Sequence, residues 1–309
     1  GVILFDAQII NGQRVDRNIV ESEQLKQLTN DLQKIVKRPL LIAVDAEGGF
    51  VNRFKDIYGD VPSAKEMGKG THEETRKVAV ELAEALSLHG INMDLAPVVD
   101  VDLNENNPVI GTLERSFSSD SREVYEHTKA FIDGLHKRDI VASIKHFPGH
   151  GSSDTDTHLD VTDVTDKYDK DAELEPYKLL LKDGYKDTIM TAHIINRDVD
   201  EVPATLSEEF IDGWLRGELN YKGVVISDDM FMDAIIEEYT LEEAVVMSVN
   251  AGVDIMLVAR QYDVDGELMA DKVVETILDA IEEGEITTDR INESYKRVID
   301  LKKRYGLAK

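Results

Sequence analysis

The stretch IVASIKHFPGHGSSDTDTHLD, residues 140–160, changes character at a single point. Five apolar or small residues, Ile140 to Ile144, give way to Lys145-His146, and the loop beyond carries two more histidines, His150 and His158, among serines, threonines and aspartates. A short run of this kind bounded by turn residues reads as a buried strand. A lysine at its end is expensive to bury unless an acid or a ligand faces it. The strand therefore delivers charge to a cleft.

The same punctuation recurs along the chain. Strands are expected over residues 1–5, 40–45, 91–95, 140–146, 188–193, 223–228 and 253–258, and polar residues stand at or just past their ends: Asp6, Asp45, Asp94, Lys145-His146, His193 and Asp228. Helices are expected between them. Their start signals are Thr71-His-Glu-Glu74, Asp120-Ser-Arg-Glu123 and Thr240-Leu-Glu-Glu243, capping boxes or close to it. Stripes at helical spacing, Val78, Leu82, Ala85 and His89 in one helix and Ile291, Tyr295, Val298 and Lys302 in the last, mark faces turned to a core, with Gly306 as a C-cap.

Strand and helix alternating in this way specify a parallel sheet. A doubly wound sheet would gather its functional residues at one switch point, whereas a closed barrel brings every strand end to one rim. Polar ends on nearly every strand favour the barrel, and no GxGxxG or P-loop follows any of them. The expected fold is a single (β/α)8-type TIM barrel, one domain over residues 1–309.

Composition narrows the function. With 35 basic and 62 acidic side chains the formal net charge is −27, which repels a phosphate backbone and argues against nucleic acid. Cysteine is absent, so disulfides, thiolate metal sites and a cysteine nucleophile are excluded. No apolar run approaches the roughly 20 residues of a membrane span. The expectation is a soluble protein, a cytoplasmic location being favoured over a secreted one, although GVILF at residues 1–5 carries no readable address.

Residue types leave several chemistries open at the rim. Asp228, in GVVISDDM, can be a nucleophile, a metal ligand or a general base. Asp156-Thr-His158 sets a carboxylate where it can accept an imidazole N–H and raise its basicity, as a proton shuttle requires, while the bland alternative is a solvated loop with an idle histidine. His146, His150, His158, His193, Asp154, Asp156 and Asp228 are ligand types for zinc or manganese. Against a metal, no HxH or HExxH occurs, and Lys145 opposes a cation. His150 fits equally well as a loop fastener.

KHFPGHGSSDTDTH, residues 145–158, resembles the signature loop of bacterial β-N-acetylglucosaminidases of glycoside hydrolase family 3. The resemblance continues in order through GVILF (1–5), AVDAEGGFVNRF (43–54), INMDLAPVVDVD (91–102), NPVIGTLERSF (107–117), MTAH (190–193), PATLS (203–207) and VVISDDM (224–230). It implies a retaining exo-β-N-acetylglucosaminidase acting on GlcNAc-containing fragments of peptidoglycan or chitin. Asp228 matches the nucleophile. His158, paired with Asp156, matches the acid/base, a departure from the usual two carboxylates. Asp45, Lys145, His146 and Arg115 match positions that hold the terminal sugar, and Arg53 and His193 are further substrate-binding candidates. The resemblance implies no metal and no organic cofactor. β-Glucosidase or phosphorylase activity, or a sugar-binding homologue without turnover, are the alternatives within the family.

Two departures accompany the match. Ala46 and Phe50 flank EGG where the family often has Gln and Arg. GVILF matches the family's second barrel strand, so the first strand and helix are expected to be missing or rearranged. An open gap would leave two sheet edges and apolar interior exposed. Something is expected to cover it, either a rearranged segment such as residues 7–20 or a partner subunit in a homo-oligomer.

Overall fold

All seven runs expected as strands pair in one parallel sheet. The computed structural model, which describes residues 1–10, 13–157, 162–263 and 265–308, places β1 at Val2–Ile3, β2 at Ile42–Val44, β3 at Met93–Asp94 and β4 at Val141–Phe147. β5 is Thr188–Thr191, β6 Val224–Asp229 and β7 Ile255–Leu257. They lie side by side in chain order. Most are shorter than the runs that announced them, because the polar ends leave the ladder to build loops.

Successive residues along a strand point to opposite faces, and the core divides accordingly. Ala43, Val141, Met190, Val224 and Ile226 fill the barrel interior. Their chain neighbours Ile42, Ala142, Ile189 and Val225 pack outward against the helices. Those helices are α1 (Ser22–Ile35), α2 (His72–Leu88), α3 (Ser121–Leu135), α4 (Lys170–Lys182), a wider-turned segment at Glu209–Glu218, α5 (Leu241–Ala251), α6 (Met269–Glu283) and α7 (Thr288–Arg304). With strand followed by helix through the chain, this is the expected TIM-type barrel, with seven strands in its main sheet among the described residues.

The helix starts are where the side chains put them. Thr71 Oγ1 accepts from Glu74 N at 3.2 Å while Glu74 Oε2 accepts from Thr71 N at 2.7 Å, and Thr240 and Glu243 repeat the exchange. Asp120 caps α3 through the amides of Arg122 and Glu123. The buried stripe of α2 runs through Ala79, Leu82, Ala83 and Leu86, so Val78 and Ala85 flank it where they were expected to form it.

β1 and β7 are the two edges of the sheet, and segments from both ends of the chain pack beside them. Ile3 of β1 and Ile255 and Leu257 of β7 belong to one apolar interior, and α7 inserts Val298, Leu301 and Tyr305 into it. Lys302 Nζ donates to Pro39 O at 2.7 Å and Arg38 Nη1 to Tyr295 Oη at 2.7 Å, fastening α7 across the N-terminal side of the strands. Asp187, just ahead of β5, accepts from Tyr305 Oη at 2.5 Å and Arg304 Nη1 at 3.0 Å. At the other end the antiparallel hairpin Ala7–Ile10 with Gln13–Asp16 follows β1, and Arg17 Nη1 donates to Ala259 O beyond β7 at 3.4 Å. The segment 7–20 thus reaches the end of β7 through Arg17, and the last helix, read only as core-facing, packs against the interior.

Leu301 is fully buried there. Leu301→Ala is expected to destabilise the chain by about 2–4 kcal/mol through lost burial and a residual cavity. A lower urea midpoint at unchanged m-value measures it. An unchanged midpoint means α7 contributes nothing to the barrel's core.

Candidate active site

Asp45 lies two residues past Ala43, Lys145 four past Val141 and Asp228 two past Ile226, and all three reference residues face the barrel interior. Period-two alternation therefore aims these side chains inward at the C-terminal mouth. There Lys145 Nζ lies 2.7 Å from Asp45 Oδ1 and 2.6 Å from Glu47 Oε1. Burial by itself would lower the ammonium, but Asp45 and Glu47 outweigh it and hold Lys145 above the ordinary lysine value.

Glu47 is the centre of this arrangement. Its two oxygens accept from Arg115 Nε and Nη2, both at 2.8 Å, in the paired geometry that suits guanidinium and carboxylate. Burial opposes its ionisation, yet Arg115 and Lys145 together hold it well below the usual carboxylate range. Asp94, at the end of β3, goes the other way. Buried and with only the Ala46 amide donating to Oδ1, it is pushed up to about 8 and keeps its proton at neutral pH.

His146 sits beside them with its tautomer set by its neighbours. Arg115 Nη2, which can only donate, is 3.3 Å from His146 Nε2, so Nδ1 carries the proton and donates to Asp100 Oδ2 at 2.7 Å. The other oxygen of Asp100 accepts from the amides of His146 and His150, at 3.2 and 2.8 Å. Burial pushes His150 down to about 4, leaving it neutral, and Ser153 Oγ lies 2.6 Å from its Nδ1. His150 is the loop fastener. Asn107 joins in, donating to His150 O at 2.7 Å and Ser153 Oγ at 2.9 Å while accepting from the amides of Val109 and Ile110. The Arg115 segment and the His-rich loop are one stapled unit.

Asp228 is half-buried near the end of β6 and accepts from the Asp229 amide at 2.8 Å. His193, buried beyond β5, has Nε2 3.0 Å from Asp229 O, so it donates to the strand that bears Asp228. Asp156 is half-buried near the end of the His-rich loop. Thr157 O, at that end, accepts from Ala234 N at 3.4 Å, in the short helix Asp233–Ile236 that follows β6. His158 lies outside the described residues. Arg53 stands apart from the buried cluster. Its amide donates to Asp45 O at 2.8 Å, but its half-exposed guanidinium lies 3.6 Å from Asp6 and over the Phe5 ring.

The mouth thus offers fixed donors on Lys145 and Arg115 beside fixed acceptors on Asp45, the pattern needed to grip vicinal hydroxyls. The model of the glycosyl hydrolase family 3 N-terminal domain matches residues 5–301. The chain belongs to glycosyl hydrolase family 3. A curated relative from Tolumonas auensis, named beta-hexosaminidase, is 35% identical over 263 residues, which is 83% of this chain and 74% of that protein. One of the same name from Methylobacillus flagellatus is 35% identical over 280 residues, 87% and 76% of the two chains. Among solved structures, a family 3 beta-N-acetylglucosaminidase from a Paenibacillus species superposes with a TM-score of 0.87 at 33% identity, covering 99% of this chain and 56% of that one.

Three residues of this family 3 site escaped the sequence reading. Glu47 was visible as a second carboxylate two residues beyond Asp45, and Asp100 as an aspartate after the apolar Val98-Val99. Glu173, inside α4, left no signal. It is fully buried beneath the His-rich loop, and its Oε1 accepts from Ser152 N at 2.8 Å and Ser152 Oγ at 2.6 Å. Gly149 passes so close that a Cβ there would meet Glu173 Oε2 at 2.4 Å.

Burial, with Asp100 adding to it, pushes Glu173 up to about 8. A folded-state value above the unfolded one means its contribution is fully present below about pH 4.5 and is lost as pH rises through 8, some 3–5 kcal/mol across the window at 1.36 kcal/mol per pH unit. Oε2 has no hydrogen-bond partner among the described residues, so the bare carboxylate would leave a buried charge unmet. Glu173→Gln is expected to flatten the fall in thermal midpoint between pH 6 and 9. Parallel midpoint curves for the two proteins would refute this.

Proposed function

We propose that this β-hexosaminidase-type glycoside hydrolase is a retaining exo-β-N-acetylglucosaminidase that removes terminal GlcNAc from peptidoglycan- or chitin-derived fragments. Asp228 attacks the anomeric carbon as the glycosidic bond breaks, and protonated His158 gives its proton to the leaving oxygen. The neutral imidazole then takes a proton from water, which attacks the glycosyl-enzyme and frees the Asp228 carboxylate. Asp156 orients His158 and favours its charged form. Asp45, Lys145, Arg115 and His146 hold the sugar's hydroxyls, with Arg53 and His193 at the margins. The observation that carries this reading is the Thr157–Ala234 contact, which brings the loop leading into His158 against the segment that follows Asp228. The Paenibacillus neighbour, titled a beta-N-acetylglucosaminidase, supports the same sugar.

The test is an assay of N-acetylglucosaminides whose leaving groups differ in basicity. His158→Ala is expected to lose about 10²–10⁴-fold on an alkyl glycoside that needs its oxygen protonated, and far less on a dinitrophenyl one. Equal losses on both would remove the acid role. Preference for a glucoside, or a sugar phosphate product when phosphate is present, would redirect the assignment to another activity of the family.

A further inference from the structure

On the outer wall of the barrel, two histidines and a carboxylate converge between the N-terminal turns of α2 and α3. His72 opens α2, and Glu123 and His127 are one turn apart on the same face of α3. One ligand atom from each lies within 4.8 Å of the other two. His72 Nε2 is 3.2 Å from Glu123 Oε2. His72 and Glu123 are about half exposed, whereas His127 is fully buried. The helices approach closely here, a Cβ on Gly134 of α3 falling 2.5 Å from Ala79 Cβ of α2.

His127 is the second and independent observation. Thr75 Oγ1 lies 2.8 Å from its Nδ1, and its Nε2 is buried with no hydrogen-bond partner among the described residues. An orphaned ring nitrogen is unfavourable whichever tautomer is present. If Nδ1–H donates to Thr75, Nε2 presents a lone pair, and a metal is what would use it. A ring nitrogen ligating metal while the other N–H is tied to an oxygen is the recurrent arrangement at protein metal sites.

We propose that His72, Glu123 and His127 form a divalent transition-metal site, with zinc as the natural occupant, that cross-links α2 to α3. Two imidazoles and one carboxylate are the donors such an ion takes, with water in the remaining position on the exposed side. Tetrahedral coordination with bonds of about 2.1 Å sets donors about 3.4 Å apart. Side-chain rotation of the exposed His72 and Glu123 supplies the closing movement while His127 stays fixed. Burial, reinforced by His72, lowers His127 from the ordinary histidine value and keeps it in the neutral form a metal requires. Phe117 stacks on His127 at 5.5 Å and lies two residues from Arg115, so the ion would also firm the base of the Arg115 segment.

Zinc titration by calorimetry on chelator-treated protein tests this, alongside His72→Ala and Glu123→Gln. Both side chains are about half exposed, so neither substitution empties the core, and circular dichroism of the metal-free proteins checks their folding. The wild type is expected to take up zinc with a thermal midpoint that rises with its concentration. Each variant is expected to lose one site from the isotherm, or to bind there at least tenfold more weakly, and to lose the midpoint rise. Cobalt should give the visible absorption of a tetrahedral ion in the wild type alone. An isotherm unchanged in His72→Ala, or no uptake by the wild type, overturns the site.

Discussion

Asp228→Ala is expected to lower kcat/KM on a chromogenic N-acetylglucosaminide by about 10⁴-fold or more, the scale on which removal of a covalent nucleophile is felt. Asp228 is half-buried and accepts from the neighbouring Asp229 amide. A nucleophilic role makes a sharper forecast than loss alone. With the carboxylate gone, azide supplied in solution can attack from the vacated face and yield the α-glycosyl azide, the inverted product. Retention of more than about 1% of wild-type kcat/KM, or no azide product under any condition, would remove Asp228 from the mechanism.

Glu47→Gln should have the largest effect on the folded state. Glu47 neutralises two cations at once, at 2.8 Å from Arg115 and 2.6 Å from Lys145, and all three side chains are at most 8% exposed. Removing the charge leaves Asp45 and Asp100 to balance a buried guanidinium and ammonium. Breaking a buried pair from one side costs roughly 3–5 kcal/mol, because the partner's desolvation remains uncompensated. A fall of that size in unfolding free energy is expected, together with loss of turnover as Lys145 and Arg115 lose their fixed positions. The pH dependence has a definite sign. Since Arg115 and Lys145 depress the Glu47 carboxylate, its contribution is present above about pH 4.5 and fades only as acid approaches the much lower folded-state value. The gap between wild type and variant should therefore narrow in strong acid. A gap that widens there, or a variant as stable as wild type at pH 7, would mean that Glu47 is not the counter-ion of this cluster.

Strands and strand ends were legible because their signals are local. A short β-branched run closed by a turn residue carries its period with it, and Asp45, Lys145 and Asp228 follow from parity alone once each strand is placed. Glu47 and Asp100 were harder, since each matters through partners far along the chain: Arg115 stands 68 residues from Glu47, and His146 stands 46 from Asp100. Glu173 was hidden. A glutamate within an ordinary helical pattern reads as a solvated face, and only packing against Gly149 and Ser152 makes it buried and protonated. Arg53 shows the converse, a matching residue that the fold holds at the edge beside Asp6.

What the letters determined by themselves was the order of strands and helices, the rim at which chemistry collects and the family to which the chain belongs. Order and rim are properties of neighbouring residues, for which periodicity, capping and turn preference suffice, whereas the family follows from the resemblance of KHFPGHGSSDTDTH and the stretches in order with it. Tertiary structure decided how the two edge strands of the sheet are tied to segments from the ends of the chain, with α7 fastened at Pro39 and Arg17, just past the first hairpin, at Ala259. It also decided which carboxylates are charged and which keep a proton, since Glu47 and Asp94 differ only in what burial leaves beside them. Ionisation and edge packing depend on groups brought together from across the chain, and no local pattern holds that information.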